Sequence, residues 1–207
     1  MVSVKFCGNR RLEDVALLNA CKPDYMGMIL SAGFCRSIDA ATAAAMTAQL
    51  DPVIRRVGVV VNESPEQAAA LAEAAGADIL QLHGQEDAAY LAALRKRWRG
   101  FIWKAVRVQT VEDLQAADAM GVDCLVVEGY TPGQVGGTGQ TANWSLLATY
   151  TPTNPWLLAG GLHAGNLRKA LEIVHPNGVD LSSGIETDGK KDAEKMQQAL
   201  NIIRVLR

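Results

Sequence analysis

Arg56-Val57-Gly58-Val59-Val60-Val61, then Ser64-Pro65 opening an alanine-rich run, then Asp78-Ile79-Leu80-Gln81-Leu82, follow one another within 27 residues of the chain. The two apolar runs have the length of buried strands. Ser64 is a residue type suited to the N-cap of a helix and Pro65 to its first turn, so residues 65–75 read as a helix. Strand, helix, strand in that order makes one βαβ unit, whose strands run parallel. Both runs are apolar at nearly every position, as strands covered on both faces require.

The same alternation extends in both directions. Strands are predicted at residues 2–7, 25–30, 56–61, 78–82, 102–106, 124–127, 156–159 and 178–181. Helices are predicted at 12–20, 40–50, 65–75, 87–98, 111–120, 144–150, 166–174 and 192–206. No linker, low-complexity tract or charge block interrupts them. Eight units of about 25 residues predict a single α/β domain over residues 1–207, a compact (β/α)8 TIM barrel somewhat below the usual ~250 residues. A doubly wound open sheet would carry fewer units.

Composition narrows the function. A net charge of -2 gives no electrostatic footprint for nucleic acid or an anionic membrane. The four cysteines, Cys7, Cys21, Cys35 and Cys124, form no CxxC pair, and no signal peptide is read ahead of them. Free thiols in a cytoplasmic protein are therefore expected. The three histidines are scattered and the cysteines lack finger spacing, so no metal is expected. No apolar stretch approaches the ~18 residues that span a bilayer. With no evident exposed apolar stripe, a monomer is the default and a homodimer the alternative.

In a barrel of this kind the loops after the strands form the active face. Cys7 ends the first apolar run and is followed at once by Gly8. It reads either as a general base or as a small buried hydrophobe. An ordinary thiol ionises near ~8.5, so a cysteine base needs help from its surroundings at neutral pH. Arg36 suits a substrate carboxylate through two parallel hydrogen bonds, or else is a solvated loop arginine. His83 follows the fourth strand and either touches substrate or bonds its neighbours. Glu128 ends the sixth strand and is either a general acid or a surface glutamate. Asp180 lies inside the eighth strand, where a carboxylate must be paired or used. Three glycine-rich segments come late: Gly136-Gly137-Thr138-Gly139, Ala159-Gly160-Gly161-Leu162 and Leu181-Ser182-Ser183-Gly184-Ile185. Glycine lets backbone N–H groups converge on an anion, and the loops after strands 7 and 8 are the usual phosphate site. The expected phosphate-binding residues are Gly137, Thr138, Gly139, Gly160, Gly161, Ser182, Ser183 and Gly184.

Taken in order, these signatures resemble the phosphoribosylanthranilate isomerase family from end to end. The match runs through Lys5-Phe6-Cys7-Gly8, Arg36-Ser37, Val57-Gly58-Val59 and Gln81-Leu82-His83-Gly84. It continues through Lys104-Ala105-Val106-Arg107, the three glycine segments, and Val179-Asp180-Leu181-Ser182-Ser183-Gly184-Ile185-Glu186. The resemblance implies a cofactor-free Amadori rearrangement of N-(5-phosphoribosyl)anthranilate in tryptophan biosynthesis. It implies Cys7 as general base, Arg36 on the anthranilate carboxylate, and the glycine loops on the phosphate. The family's general acid is an aspartate, and Glu128 stands in its register. The family's Ser-Pro before the arginine is Phe34-Cys35 here, and its Phe-Asp-Trp after the glycine loop is Ala142-Asn143-Trp144. The first loop, Asn9-Arg10-Arg11, is also more basic than is usual for the family.

Two other readings differ in kind. One is a phosphosugar barrel that isomerises another aminoaldose phosphate, of the histidine-pathway type. That chemistry generally uses paired aspartates at opposite strand ends, and Cys7 occupies the first of those places. The other is a catalytically silent barrel that binds a phosphate ligand.

Overall fold

Each of the eight apolar runs forms a strand, and a helix follows each strand. The computed structural model describes residues 2–129 and 144–205. The elements begin β1 (Ser3–Phe6), α1 (Leu12–Cys21), β2 (Tyr25–Ile29), α2 (Ala40–Thr47), β3 (Arg55–Val60) and α3 (Pro65–Ala74). They continue with β4 (Ile79–Leu82), α4 (Ala88–Leu94), β5 (Phe101–Val108), α5 (Val111–Asp118), β6 (Cys124–Gly129) and α6 (Trp144–Leu147). The chain closes with β7 (Trp156–Ala159), α7 (Ala164–Val174), β8 (Gly178–Leu181) and α8 (Ala193–Val205). Among the described residues the strands close into a barrel in the order β1 to β8. Neighbours such as β2–β3, β3–β4, β6–β7 and β1–β8 pair in parallel. This is the (β/α)8 architecture that the alternation predicts.

The chain divides into two compact units. One is Cys7–Ala105; the other joins the residues before Cys7 to those after Ala105. In the first, Met26, Met28, Val57, Ile79, Leu80 and Leu82 are fully buried, with Ala68 and Ala72 of α3. In the second, Val4, Phe6, Leu125, Val127, Leu158 and Val179 are fully buried. All four positions of β4 and of β7 are buried, as strands covered on both faces must be.

Local chemistry sets the helix starts. The Ser64 side chain accepts from the Gln67 N–H, Gln67 answers in a capping box, and Pro65 follows at the first helical position. Asp39 and Asp87 cap α2 and α4 by accepting from the Thr42 and Tyr90 N–H groups, and Thr110 caps α5 in a capping box with Asp113. The predicted helices 40–50, 87–98 and 144–150 stop early, at Thr47, Leu94 and Leu147. The chain goes on as tight i→i+3 turns, with Leu50 N–H on the Thr47 carbonyl (3.3 Å), Arg97 N–H on Leu94 (2.9 Å) and Thr149 N–H on Leu146 (3.1 Å). The apolar pattern runs through such turns without marking them. Asn143, the expected cap of α6, lies outside the described residues.

One small element escaped the sequence reading. β9 (Glu186–Thr187) and β10 (Lys190–Lys191) form an antiparallel hairpin beyond β8. Asp188 and Gly189 turn it, both left-handed at φ 50° and 70°. Asp-Gly is the pair that such two-residue turns favour.

Asp118, at the end of α5, organises the connection into β7. Its carboxylate accepts from the backbone N–H groups of Thr153 (2.8 Å) and Asn154 (3.0 Å), and from the Thr153 hydroxyl (2.9 Å). The Tyr150 hydroxyl (3.0 Å) and the Asn154 side-chain amide (2.8 Å) donate as well. Burial pushes the carboxyl upward, but these donors outweigh it and hold its pKa down at about 2. A carboxyl depressed on folding stabilises the fold above its unfolded pKa, and that contribution disappears as pH falls through about 2. Asp118→Ala is expected to cost ~2 kcal/mol in urea unfolding at pH 7, because several N–H and O–H donors lose a charged acceptor. The difference from wild type should shrink as the titration is repeated toward pH 2. An equal cost at pH 7 and at pH 2 would rule out the carboxylate as its source.

Candidate functional site

Cys7 follows directly on β1. It is buried, and Gly8 beside it is left-handed at φ 75°, a conformation that suits glycine. Asn9 fixes this loop twice over: its backbone N–H and its side-chain amide both donate to the Gly27 carbonyl of β2, each at 3.0 Å. The basic residues that follow have separate uses. Arg11 pairs with Asp14 of α1, which is buried and also accepts from the backbone N–H groups of Arg10 and Arg11. Arg10 reaches across to donate to the Cys35 carbonyl at 2.9 Å.

That last bond bears on Arg36. The loop after β2 lacks the proline found in the resembling family, but hydrogen bonds restrain it here. The Ser37 hydroxyl donates to the Ser31 carbonyl (2.6 Å) and accepts from the Phe34 N–H (3.0 Å). The Ser37 N–H returns to the Phe34 carbonyl (3.0 Å), and Ile38 N–H bonds Ile29 of β2 (2.9 Å). Arg36 is half-buried at the far side of this turn, its guanidinium 3.6 Å from the Cys35 sulfur. Phe34 is 48% exposed, so its ring presents an open face.

His83 is set just past β4 by its N–H on the Val60 carbonyl (2.8 Å). Behind it lies a buried polar knot. Glu86 accepts from the backbone N–H groups of Asn62 (2.9 Å) and Gly84 (2.9 Å) and pairs with Lys104 of β5 (2.9 Å). Lys104 also donates to the Gly84 carbonyl at 2.7 Å. Burial alone would raise the Glu86 pKa, but the Asn62 N–H and Lys104 prevail and lower it, so the carboxylate form is favoured.

In the other unit, Asp180 pairs with Lys5 at 2.7 Å, and Lys5 is fully buried. The carboxylate inside β8 is thus paired, while its Oδ1 is buried without a hydrogen-bond partner among the described residues. Glu128, at the end of β6, is about one-fifth exposed (19%), and Arg107 of β5 stands 3.5 Å from its Oε2. Cys124, at the start of β6, is a buried thiol whose pKa burial pushes up to about 12 despite nearby Lys5, so it packs as a hydrophobe.

Two of the three late glycine loops lie among the described residues. Gly160 and Gly161 are both left-handed, at φ 91° and 63°. A Cβ on Gly184 would lie 1.9 Å from the Leu162 carbonyl, so this close approach needs glycine. Ser182 precedes a short 3-10 turn, Ser183–Ile185. Buried Lys191 of the hairpin holds the loop, donating to the Ser182 carbonyl (3.2 Å) and pairing with Glu186 (2.8 Å). Gly137, Thr138 and Gly139 lie outside the described residues. Among the described residues no group of three His, Cys, Asp or Glu side chains could hold a metal ion, and no helix is long and apolar enough to cross a membrane.

The sequence reading missed Lys5, Lys104 with Glu86, and Lys191. Lys5 and Lys104 carried a signal nonetheless, since each interrupts an apolar strand, where a charge must find a partner.

Comparison with known proteins agrees from end to end. The sequence profile of the family described as N-(5'phosphoribosyl)anthranilate (PRA) isomerase matches residues 4–201. The N-(5'-phosphoribosyl)anthranilate isomerase of Thermoanaerobacter sp. (strain X514) is 39% identical over 208 residues, covering 100% of each chain. The crystal structure of phosphoribosyl anthranilate isomerase from Thermotoga maritima superposes with a TM-score of 0.89 at 31% identity, over 99% of this chain and 100% of that one. A second solved isomerase, in complex with reduced 1-(o-carboxyphenylamino)-1-deoxyribulose 5-phosphate, gives 0.86 at 30% identity over 99% and 100%.

Proposed function

The chain belongs to the N-(5'-phosphoribosyl)anthranilate isomerase family, and we propose that Cys7 and Glu128 carry out its aldose–ketose rearrangement as base and acid. The substrate is N-(5-phosphoribosyl)anthranilate and the product 1-(2-carboxyphenylamino)-1-deoxyribulose 5-phosphate, a step of tryptophan biosynthesis. The observation that carries this reading is the likeness, over nearly the whole chain, to an isomerase solved with a reduced form of that product.

The steps follow from the groups available. Glu128 gives a proton to the furanose ring oxygen, the C1–O bond breaks, and the anthranilate nitrogen supplies the electron pair that makes a Schiff base. Cys7 removes the proton at C2, and its electron pair forms the enolamine. Protonation at C1 and loss of the hydroxyl proton at C2 give the ketone, so the reaction is balanced without an oxidant. Arg36 holds the anthranilate carboxylate, and Phe34 offers its exposed ring to the anthranilate face. The unpartnered Oδ1 of Asp180 accepts from a ribose hydroxyl. His83 donates to a substrate oxygen. The phosphate lies against Gly137, Thr138, Gly139, Gly160, Gly161, Ser182, Ser183 and Gly184, where backbone N–H groups suit an anion.

A continuous fluorescence assay on the anthranilate substrate tests the activity, and no turnover of that substrate would end the proposal. In the same assay Arg36→Ala is expected to raise KM ~30-fold, the worth of a lost charged bidentate contact of ~2 kcal/mol. If both KM and kcat stay as they were, the carboxylate assignment is wrong.

A further inference from the structure

We propose that Gln81 is a positioning residue that fixes which ring nitrogen of His83 carries the proton. Gln81 lies in the middle of the barrel wall, level with Val59 of β3 and Trp103 of β5, and is only 1% exposed. Its side-chain nitrogen stands 3.2 Å from Nδ1 of His83. An amide nitrogen only donates, so Nδ1 accepts and the ring proton sits on Nε2. Its oxygen, Oε1, is buried without a hydrogen-bond partner among the described residues.

That unsatisfied oxygen makes Gln81 a poor choice for stability. A leucine of similar volume would fill the place without desolvating an amide. Packing therefore gives no reason for an amide here, whereas the bond to His83 does. Gln81 lies in β4 and His83 just past it, with its N–H still on the Val60 carbonyl of β3, so two residues apart their side chains meet on one side of the sheet. The inner one can then orient the outer one. With Nδ1 accepting from Gln81, the substrate contact proposed for His83 is a donation from Nε2–H. The inference rests on the proposed role of His83 in substrate binding.

The test combines two variants with a spectrum of the unaltered protein. Gln81→Leu is expected to raise KM about tenfold, to lower kcat by a smaller factor, and to leave the melting temperature equal or higher. A residue with only a structural role would lower the melting temperature instead. In a His83→Ala background the same substitution should add nothing further to KM. Long-range 1H–15N correlation on the wild-type protein should show His83 protonated at Nε2, with that preference weakened in Gln81→Leu. If His83→Ala leaves KM unchanged, the substrate role of His83 falls and takes this inference with it. If His83→Ala raises KM but Gln81→Leu does not, or adds its full factor in the double variant, the inference falls and the substrate role stands. Protonation of the wild-type ring at Nδ1 overturns it as well, and this measurement decides alone should Gln81→Leu fail to fold.

Discussion

Cys7→Ala is expected to lower kcat at least ~100-fold while the barrel stays folded, as judged by the anthranilate fluorescence assay and far-UV circular dichroism. The loss corresponds to ~2.7 kcal/mol of transition-state stabilisation. Alanine removes one sulfur from a buried place beside a glycine turn, so the fold should lose only ~1 kcal/mol. The two Asn9 bonds to Gly27 do not involve the Cys7 side chain and hold the loop in either variant. Cys7→Ser should recover little, because a hydroxyl is a far weaker acid than a thiol and supplies almost no anion at neutral pH. Cys124→Ala is the control: that thiol is held protonated, its pKa pushed up to about 12 by burial, and its loss should leave turnover intact. Near-normal kcat in Cys7→Ala would remove the thiol from the mechanism.

The sequence carried the barrel more completely than it carried the site. β4 and β7 were readable because every position in them is buried and every residue but Gln81 is apolar, a pattern that nothing solvated shows. The hairpin of β9 and β10 was not, because two-residue strands of Glu, Thr and Lys carry no apolar residue and are too short to show a periodicity. Its one signal was Asp188-Gly189. Cys7, His83 and Glu128 stand at or just past strand ends, where the sequence reading put them. The charges that support them were not. Lys5 meets Asp180 across 175 positions of sequence, and no local pattern encodes such a pair. The basic first loop is the clearest gain from the structure. Arg10 holds the turn before Arg36 by its bond to Cys35, where the family's pattern has a proline. Hydrogen bonds through Ser37 complete the restraint that a fixed φ would otherwise supply.

Glu128→Ala is expected to lower kcat at least ~100-fold, and Glu128→Gln by a similar factor, since an amide fills the space but has no proton to give. Added formate or acetate should restore part of the turnover in Glu128→Ala and none in Glu128→Gln, because only the smaller side chain leaves room for a diffusible acid. Near-normal turnover in both variants would remove Glu128 from the reaction and leave the ring opening to another donor. Glu128→Asp asks the finer question. The family's aspartate is one methylene shorter, and here the longer arm ends beside Arg107 of β5, 3.5 Å away on the same unit. That contact gives the extra reach a place to go, as a lateral tether on the carboxylate. If the tether sets the carboxylate's position, Glu128→Asp should fall in kcat by about tenfold, because the shorter arm loses its partner and a misplaced proton donor loses rate steeply. Arg107→Leu should then cost Glu128 activity but add little to Glu128→Asp. If Glu128→Asp equals or exceeds the wild type, the strand end is still built for aspartate, and Arg107 is a bystander.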